Sequence, residues 1–275
     1  FGSFSLTQML FLPIVGRMSD KRGRKTFICL GLFAYFLTAL AYMFADTIPS
    51  LMITRMFQGA CSGMIMPVAQ AYAGEISPPG QEGKFQGILN IALLVGLAGG
   101  PFFGGLIKDV WGLNASFASL GVACFLGFCF CLIFLPPRKD EKSMLSHSPP
   151  VSFRALASEI NVIGVVLSRF ALMICLGTIW MFMPLLTDEL FGLSSSATGL
   201  LIALLVLMGA VSAPVSGYFS DRIDKRLITH TGLTLIALAV GAIVLISNIW
   251  IFVALAIFIG LANGIAMTSI NAMAV

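Results

Sequence analysis

Arg55 is the side chain with the most to explain. It stands about one and a half turns into an apolar run that extends from about Pro49 to Ala73. A guanidinium at bilayer depth costs several kcal/mol unless it is paired or wetted, so such a residue marks a functional site by default. Gln58 and Ser62 follow at i+3 and i+7, on the same helical face. The chemistry on offer is a fixed positive charge among amide and hydroxyl groups. A carboxylate on a neighbouring helix would be the usual partner, yet all twelve Asp and Glu lie between apolar runs or at their ends. The alternative is an arginine near the outer interface that reaches water by snorkelling.

A second pattern is steric. Gly87 is followed by Gly96, then Gly100-Pro101, then Gly104-Gly105. Gly96, Gly100 and Gly104 recur at i, i+4 and i+8, a stripe without side chains where another helix is expected to approach. Pro101 donates no N–H and crowds the preceding turn, so a kink is expected there. A third group could contact a ligand: Gln8, Met66, Gln70, Asn90, Trp180, Met183, Asn263, Met267 and Asn271. Asn263, Met267 and Asn271 share one helical face, and Met and aromatic side chains adapt to varied apolar molecules. Each could equally serve helix packing. Arg169 either faces an anionic substrate or reaches the aqueous edge.

Enzyme chemistry finds no foothold. The sequence has no Gly-rich phosphate loop ending in Gly-Lys-Ser/Thr, no His-Glu-x-x-His and no Gly-x-Ser-x-Gly. The six cysteines all fall in apolar runs, without a Cys-x-x-Cys pair, and read as small packing residues rather than metal ligands or a disulfide framework. No cofactor and no metal is expected.

The elements that must position these groups are membrane helices. Hydrophobic residues make up 58% of the chain, charged residues 10%, and mean hydropathy is +0.99. A soluble domain carries about 25% charged residues. Apolar runs near ~20 residues indicate helices rather than barrel strands. Nine spans are expected, at about 1–15, 26–45, 49–73, 85–107, 115–135, 161–187, 195–219, 227–247 and 249–275. Residues 136–159 form a polar linker with Pro-Pro near each end, dividing a first bundle (1–135) from a second (160–275). The chain starts at Phe1 and stops at Val275, each inside an apolar run, as a piece of a longer protein would. Thirteen of the 16 Lys and Arg gather in the segments after the first, third, fifth and seventh runs. Such asymmetry assigns that side to the cytoplasm. The net charge of +4 is accounted for by these edges and by anionic lipid, with no call for nucleic acid.

The segment between the first two runs, Gly16-Arg17-Met18-Ser19-Asp20-Lys21-Arg22-Gly23-Arg24-Lys25, resembles the signature loop of the major facilitator superfamily, with Lys21 where Arg is usual. A second copy begins at Gly217 and includes Asp221, with Asp224 where the second Gly would stand. Asp tolerates a left-handed turn better than most residues, so that replacement is expected to keep the turn. The resemblance implies an all-α polytopic bundle of the major facilitator fold, with about nine of its twelve spans present, and no enzyme. Arg55-Met56-Phe57-Gln58-Gly59 resembles the family's Arg-x-x-Gln-Gly pattern, associated with proton transfer in drug/proton antiporters. The series Gly87 to Gly105 is similar to the antiporter signature of the fifth family span, and implies export.

The resemblance also implies a cytoplasmic latch of Gly16, Asp20, Gly23 and Arg24 with Glu75, and of Gly217 and Asp221 in the second copy. The expectation is a monomeric, multi-pass protein of the cytoplasmic membrane. It would exchange protons for a small, amphipathic compound by alternating access. A facilitator importing a sugar or metabolite, or a non-transporting receptor of the same fold, are the rivals.

Overall fold

A computed structural model of the chain describes residues 2–78, 80–136, 159–220, 222–243, 246 and 248–273. Among the described residues the regular elements are α-helices: α1 (Gly2–Arg22), α2 (Arg24–Tyr42), α3 (Ile48–Ile76), α4 (Glu82–Trp111), α5 (Leu113–Phe134), α6 (Ile160–Phe191), α7 (Ser195–Ser220), α8 (Lys225–Ala242) and α9 (Ile249–Met273). The expected linker, apart from Pro136 and Glu159, lies outside the described residues.

The helices match the apolar runs, most of them overrunning the expected ends, while α2 and α8 stop short at Tyr42 and Ala242. The clearest correction is the basic segment, expected as a loop from Gly16 to Lys25. Here α1 continues through Arg22, and Gly23 alone breaks it. Ser19 is buried and turns its hydroxyl back onto the Gly16 carbonyl at 2.8 Å. Lys21 and Arg22 occupy the last turn, where the helix dipole favours cations. Gly23, at φ 93°, adopts the left-handed geometry that most residues avoid. Gly112, at φ 87°, similarly separates α4 from α5, so the gap expected between the runs 85–107 and 115–135 shrinks to one residue. α3 starts with a capping box, Thr47 and Ser50 each satisfying the other's backbone N–H.

Nine spans were expected and nine helices are present among the described residues, of which six (α2, α4, α5, α6, α7 and α9) are long and apolar enough to cross a membrane by length and composition alone. α1 carries Arg17, Asp20, Lys21 and Arg22, α3 carries Arg55, Gln58, Gln70 and Glu75, and α8 is 18 residues long and opens on Lys225 and Arg226. Some of this polarity is turned inward, as at Thr7, Ser19, Gln58 and Thr229, all buried.

Cα packing divides the chain into two compact units, Phe1–Leu93 with Leu106–Ser143, and Leu94–Gly105 with Met144–Val275. In the first, Val15, Phe27, Ile28, Val68 and Tyr72 form a buried cluster. Phe33, Phe36, Phe125 and Phe128 zip α2 to α5 through ring pairs 5.3–6.2 Å apart. In the second, α7 and α9 meet through small residues. Ser212 and Ser216 donate to the Leu261 and Ile265 carbonyls at 2.9 and 3.1 Å. Between α8 and α9, the Thr229 hydroxyl donates to Ser269, which donates to the Lys225 carbonyl. Large apolar side chains such as Phe130, Ile133 and Leu238 stay outside, as they must where the solvent is lipid.

Candidate functional site

The polar centre of the first unit is built around Gln58, which is 6% exposed. Its Oε1 accepts from Tyr42 Oη at 2.9 Å and from Arg55 Nη1 at 3.1 Å. Its Nε2 donates to Tyr35 Oη at 3.0 Å. The Arg55 guanidinium also lies 5.3 Å from the Tyr42 ring centre, a cation–π distance. Tyr42 is held in turn by stacking on Phe117, 4.9 Å between centroids and 15° from parallel. Helix geometry accounts for the pairing: Arg55 and Gln58 are i, i+3 on α3, and Tyr35 and Tyr42 are i, i+7 on α2. Ser62, expected to share this face, instead accepts from Gln8 Nε2 of α1 at 3.1 Å. The two tyrosines were not foreseen from sequence. They are two of only four in the chain, seven residues apart, and that spacing was the available signal.

At the other end of the same unit, Arg24 stands between two carboxylates. Its Nη2 is 2.9 Å from Asp20 Oδ1 and its Nε is 2.8 Å from Glu75 Oε1. The second contact is an ion pair by distance rather than an aligned hydrogen bond. Arg24 is 16% exposed, Glu75 28% and Asp20 58%. Gly16 has open space around its Cβ position, so no contact requires glycine there.

The second copy is built differently. Gly217 lies near Thr268 of α9, and Asp221 is outside the described residues. Asp224 is not left-handed: φ is −54° and ψ 116°. It caps α8 instead, its carboxylate accepting from the Arg226 N–H at 2.9 Å. Arg222 packs over the Tyr218 ring, 3.8 Å from its centre.

Among the described residues, a Cβ at Gly87, Gly96 or Gly100 of the α4 glycine stripe would meet nothing within 4 Å. The close approach lies one residue off the stripe. A Cβ on Gly105 would strike the Ser195 carbonyl, and a Cβ on Gly199 would strike the Pro101 carbonyl. Backbone thus meets backbone between Pro101–Gly105 of α4 and Ser195–Gly199 of α7, all within the second unit. The spacing of Gly96, Gly100 and Gly104 identified a shared face, and the neighbour stands beside it. Gly199 was not foreseen.

The ligand candidates separate by unit. In the first, Gln8 is engaged with Ser62, Met66 is half-buried, Asn90 is exposed, and the Gln70 carbonyl accepts from Gln86 at 2.7 Å. In the second, Asn271 accepts from Arg169 at 2.9 Å, and both line a shallow cavity with Phe170 and Met173. Arg169 therefore has an amide partner. Met267 is exposed, and Asn263 keeps a buried Oδ1 that no donor among the described residues reaches. Met183 is buried and lines a separate apolar cavity, with Trp180 packed against the same core. Among the described residues no group of three or more His, Cys, Asp or Glu is placed to hold a metal.

Comparison with known proteins follows the same lines. The family profile described as Major Facilitator Superfamily matches residues 1–275. An uncharacterised MFS-type transporter of Methanocaldococcus jannaschii is 38% identical over 48% of this chain and 34% of that protein. Multidrug resistance protein MdtG of Proteus mirabilis is 26% identical over 98% of this chain and 69% of its own length. The chain thus spans about a third of one relative and about two thirds of the other. A bacterial homologue of the human lysosomal transporter Spinster, solved inward-facing and unoccupied, shares the fold. Its TM-score is 0.80 at 16% identity, over 98% of this chain and 65% of that one.

Proposed function

The chain belongs to the Major Facilitator Superfamily, and on that premise we propose that it exports small amphipathic compounds across the cell membrane in exchange for protons. The observation that carries the reading is the match over 98% of the chain to a protein named for multidrug resistance. The complete Gly87–Gly105 pattern supports the outward direction, and backbone contact at Gly105 and Gly199 supports a joint able to slide without side chains in the way. The Arg55–Gln58–Tyr35–Tyr42 cluster supports coupling. A guanidinium held beside an amide and two phenols responds to any carboxylate or proton brought near it. The Arg24 ion pairs tie α1, α2 and α3 together within the first unit and would hold its basic end as one piece through the cycle. The protein works as a monomer with its basic edge in the cytoplasm.

The test is flux in proteoliposomes holding the full-length protein. An inward-directed proton gradient should drive export of a cationic dye, and collapsing the gradient should stop it. Uptake in the opposite sense would indicate the facilitator-type importer. Binding without flux would indicate a receptor.

A further inference from the structure

Gly16 and Gly217 head the two motif copies 201 residues apart, and the same interval relates helix packing in the two units. A Cβ on Gly59 would strike the Phe4 carbonyl, and a Cβ on Gly260 would strike the Leu205 carbonyl. Gly63 faces the Gln8 carbonyl as Gly264 faces that of Gly209. Gly31 lies against Ile65 as Gly232 lies against Ala266. The pair α2 and α3 is therefore packed much as the pair α8 and α9 is.

The interval carries Tyr35, Tyr42, Arg55 and Gln58 onto Ile236, Ile243, Ala256 and Ile259. All four polar groups are replaced together. Ile236, Ala256 and Ile259 are buried in the apolar clusters of their unit. That helix pair therefore packs without a phenol, a guanidinium or an amide. Packing alone explains isoleucines, but not tyrosines whose hydroxyls need partners once they leave water. Where the arginine is absent, the groups gathered around it are absent as well.

Tyr42 is the member that holds Arg55 in two ways. Its ring centre lies 5.3 Å from the guanidinium carbon. Its hydroxyl donates at 2.9 Å to the same Gln58 Oε1 that accepts from Arg55, and so pins the oxygen that Arg55 uses. An arginine only donates, so the amide must turn its oxygen toward it. Tyr35 accepts from the Nε2 that then faces away. Tyr42 is 5% exposed, and its stack on Phe117 braces the ring from a third helix, α5. We propose that Tyr42 is a positioning residue for Arg55, setting where the guanidinium stands when a proton or carboxylate reaches it. The effect on transport rests on the proton-coupled reading above; the placement itself does not.

The probe is phenylglyoxal, a guanidinium reagent, applied to the full-length protein in detergent, with adducts followed by peptide mass spectrometry. Tyr42→Phe keeps the ring and its stack but loses the hydroxyl, and Arg55 should react about threefold faster. Tyr42→Ile copies the second unit and loses both holds, and Arg55 should react about tenfold faster. Arg169 should keep its wild-type rate in both variants, which reports intact folding. In proteoliposomes the maximal rate of gradient-driven dye export should fall in the same order, at unchanged KM for the dye. An unchanged Arg55 rate in Tyr42→Ile overturns the proposal, as does an equal rise at Arg55 and Arg169 in Tyr42→Phe. Should isoleucine prevent folding, Tyr42→Phe decides alone, and wild-type reactivity at Arg55 overturns the proposal. If Arg55 is released as expected but the wild type shows no gradient-driven export, the positioning stands and the export reading falls.

Discussion

At Gln58 three hydrogen bonds of the Arg55 cluster converge on one amide. Its oxygen accepts from Tyr42 and Arg55 and its nitrogen donates to Tyr35. Gln58→Leu removes the acceptor from two donors in an apolar setting, and each stranded group costs about 1–3 kcal/mol. We expect lower thermal stability and lost proton-driven flux, with Gln58→Glu keeping an acceptor for both Tyr42 and Arg55 and retaining more of the flux. Arg55→Ala should abolish gradient-driven flux while insertion continues, read by transport in proteoliposomes beside membrane yield; normal flux would remove Arg55 from coupling. The Arg24 pairs differ in weight. Its partner Asp20, on α1 across the Gly23 break, is the more exposed, and exposed pairs contribute about 0.2–1 kcal/mol. Glu75 lies deeper, on another helix. Glu75→Gln should therefore slow transport more than Asp20→Asn, with ligand affinity unchanged in both. Equal rates would dismiss the latch.

Among the elements, α4 shows what periodicity reveals and what it withholds. Spacing identified which glycines share a face, but no sequence pattern states where a neighbour stands. Gly105→Leu and Gly199→Leu should each block transport by forcing a side chain into opposing backbone, whereas Gly100→Leu should transport nearly normally. Dye efflux in a matched series decides, and a block at Gly100 alone would restore the stripe. Helix identity was legible because apolar runs of bilayer length have few other uses. Helix ends were not, since Arg, Lys, Ser and Asp that read as loop also suit a last helical turn, as at 16–22. Tyr35 and Tyr42 escaped notice because tyrosine passes as an apolar residue until its hydroxyl finds a partner. Asp224 was read as a tolerated left-handed residue, while its carboxylate made a cap available and a different backbone with it.

Across the whole molecule, the charge pattern makes a prediction that no single helix could. Arg22→Cys and Arg222→Cys, in a background cleared of other cysteines, should both react with an impermeant maleimide from the cytoplasmic face only. Labelling from opposite faces would overturn the topology. The one-residue break at Gly23 bears on how such a molecule moves. Helices of 21 and 19 residues meet there with no slack between them. A twist at the foot of α1 is therefore delivered to α2 as through a crank, with nothing in the joint to absorb it. Because the surroundings of Gly23 are empty, an alanine there would act through its backbone alone, and asparagine would be strained as well, since φ 93° with ψ 129° lies outside the left-handed helical region that asparagine tolerates.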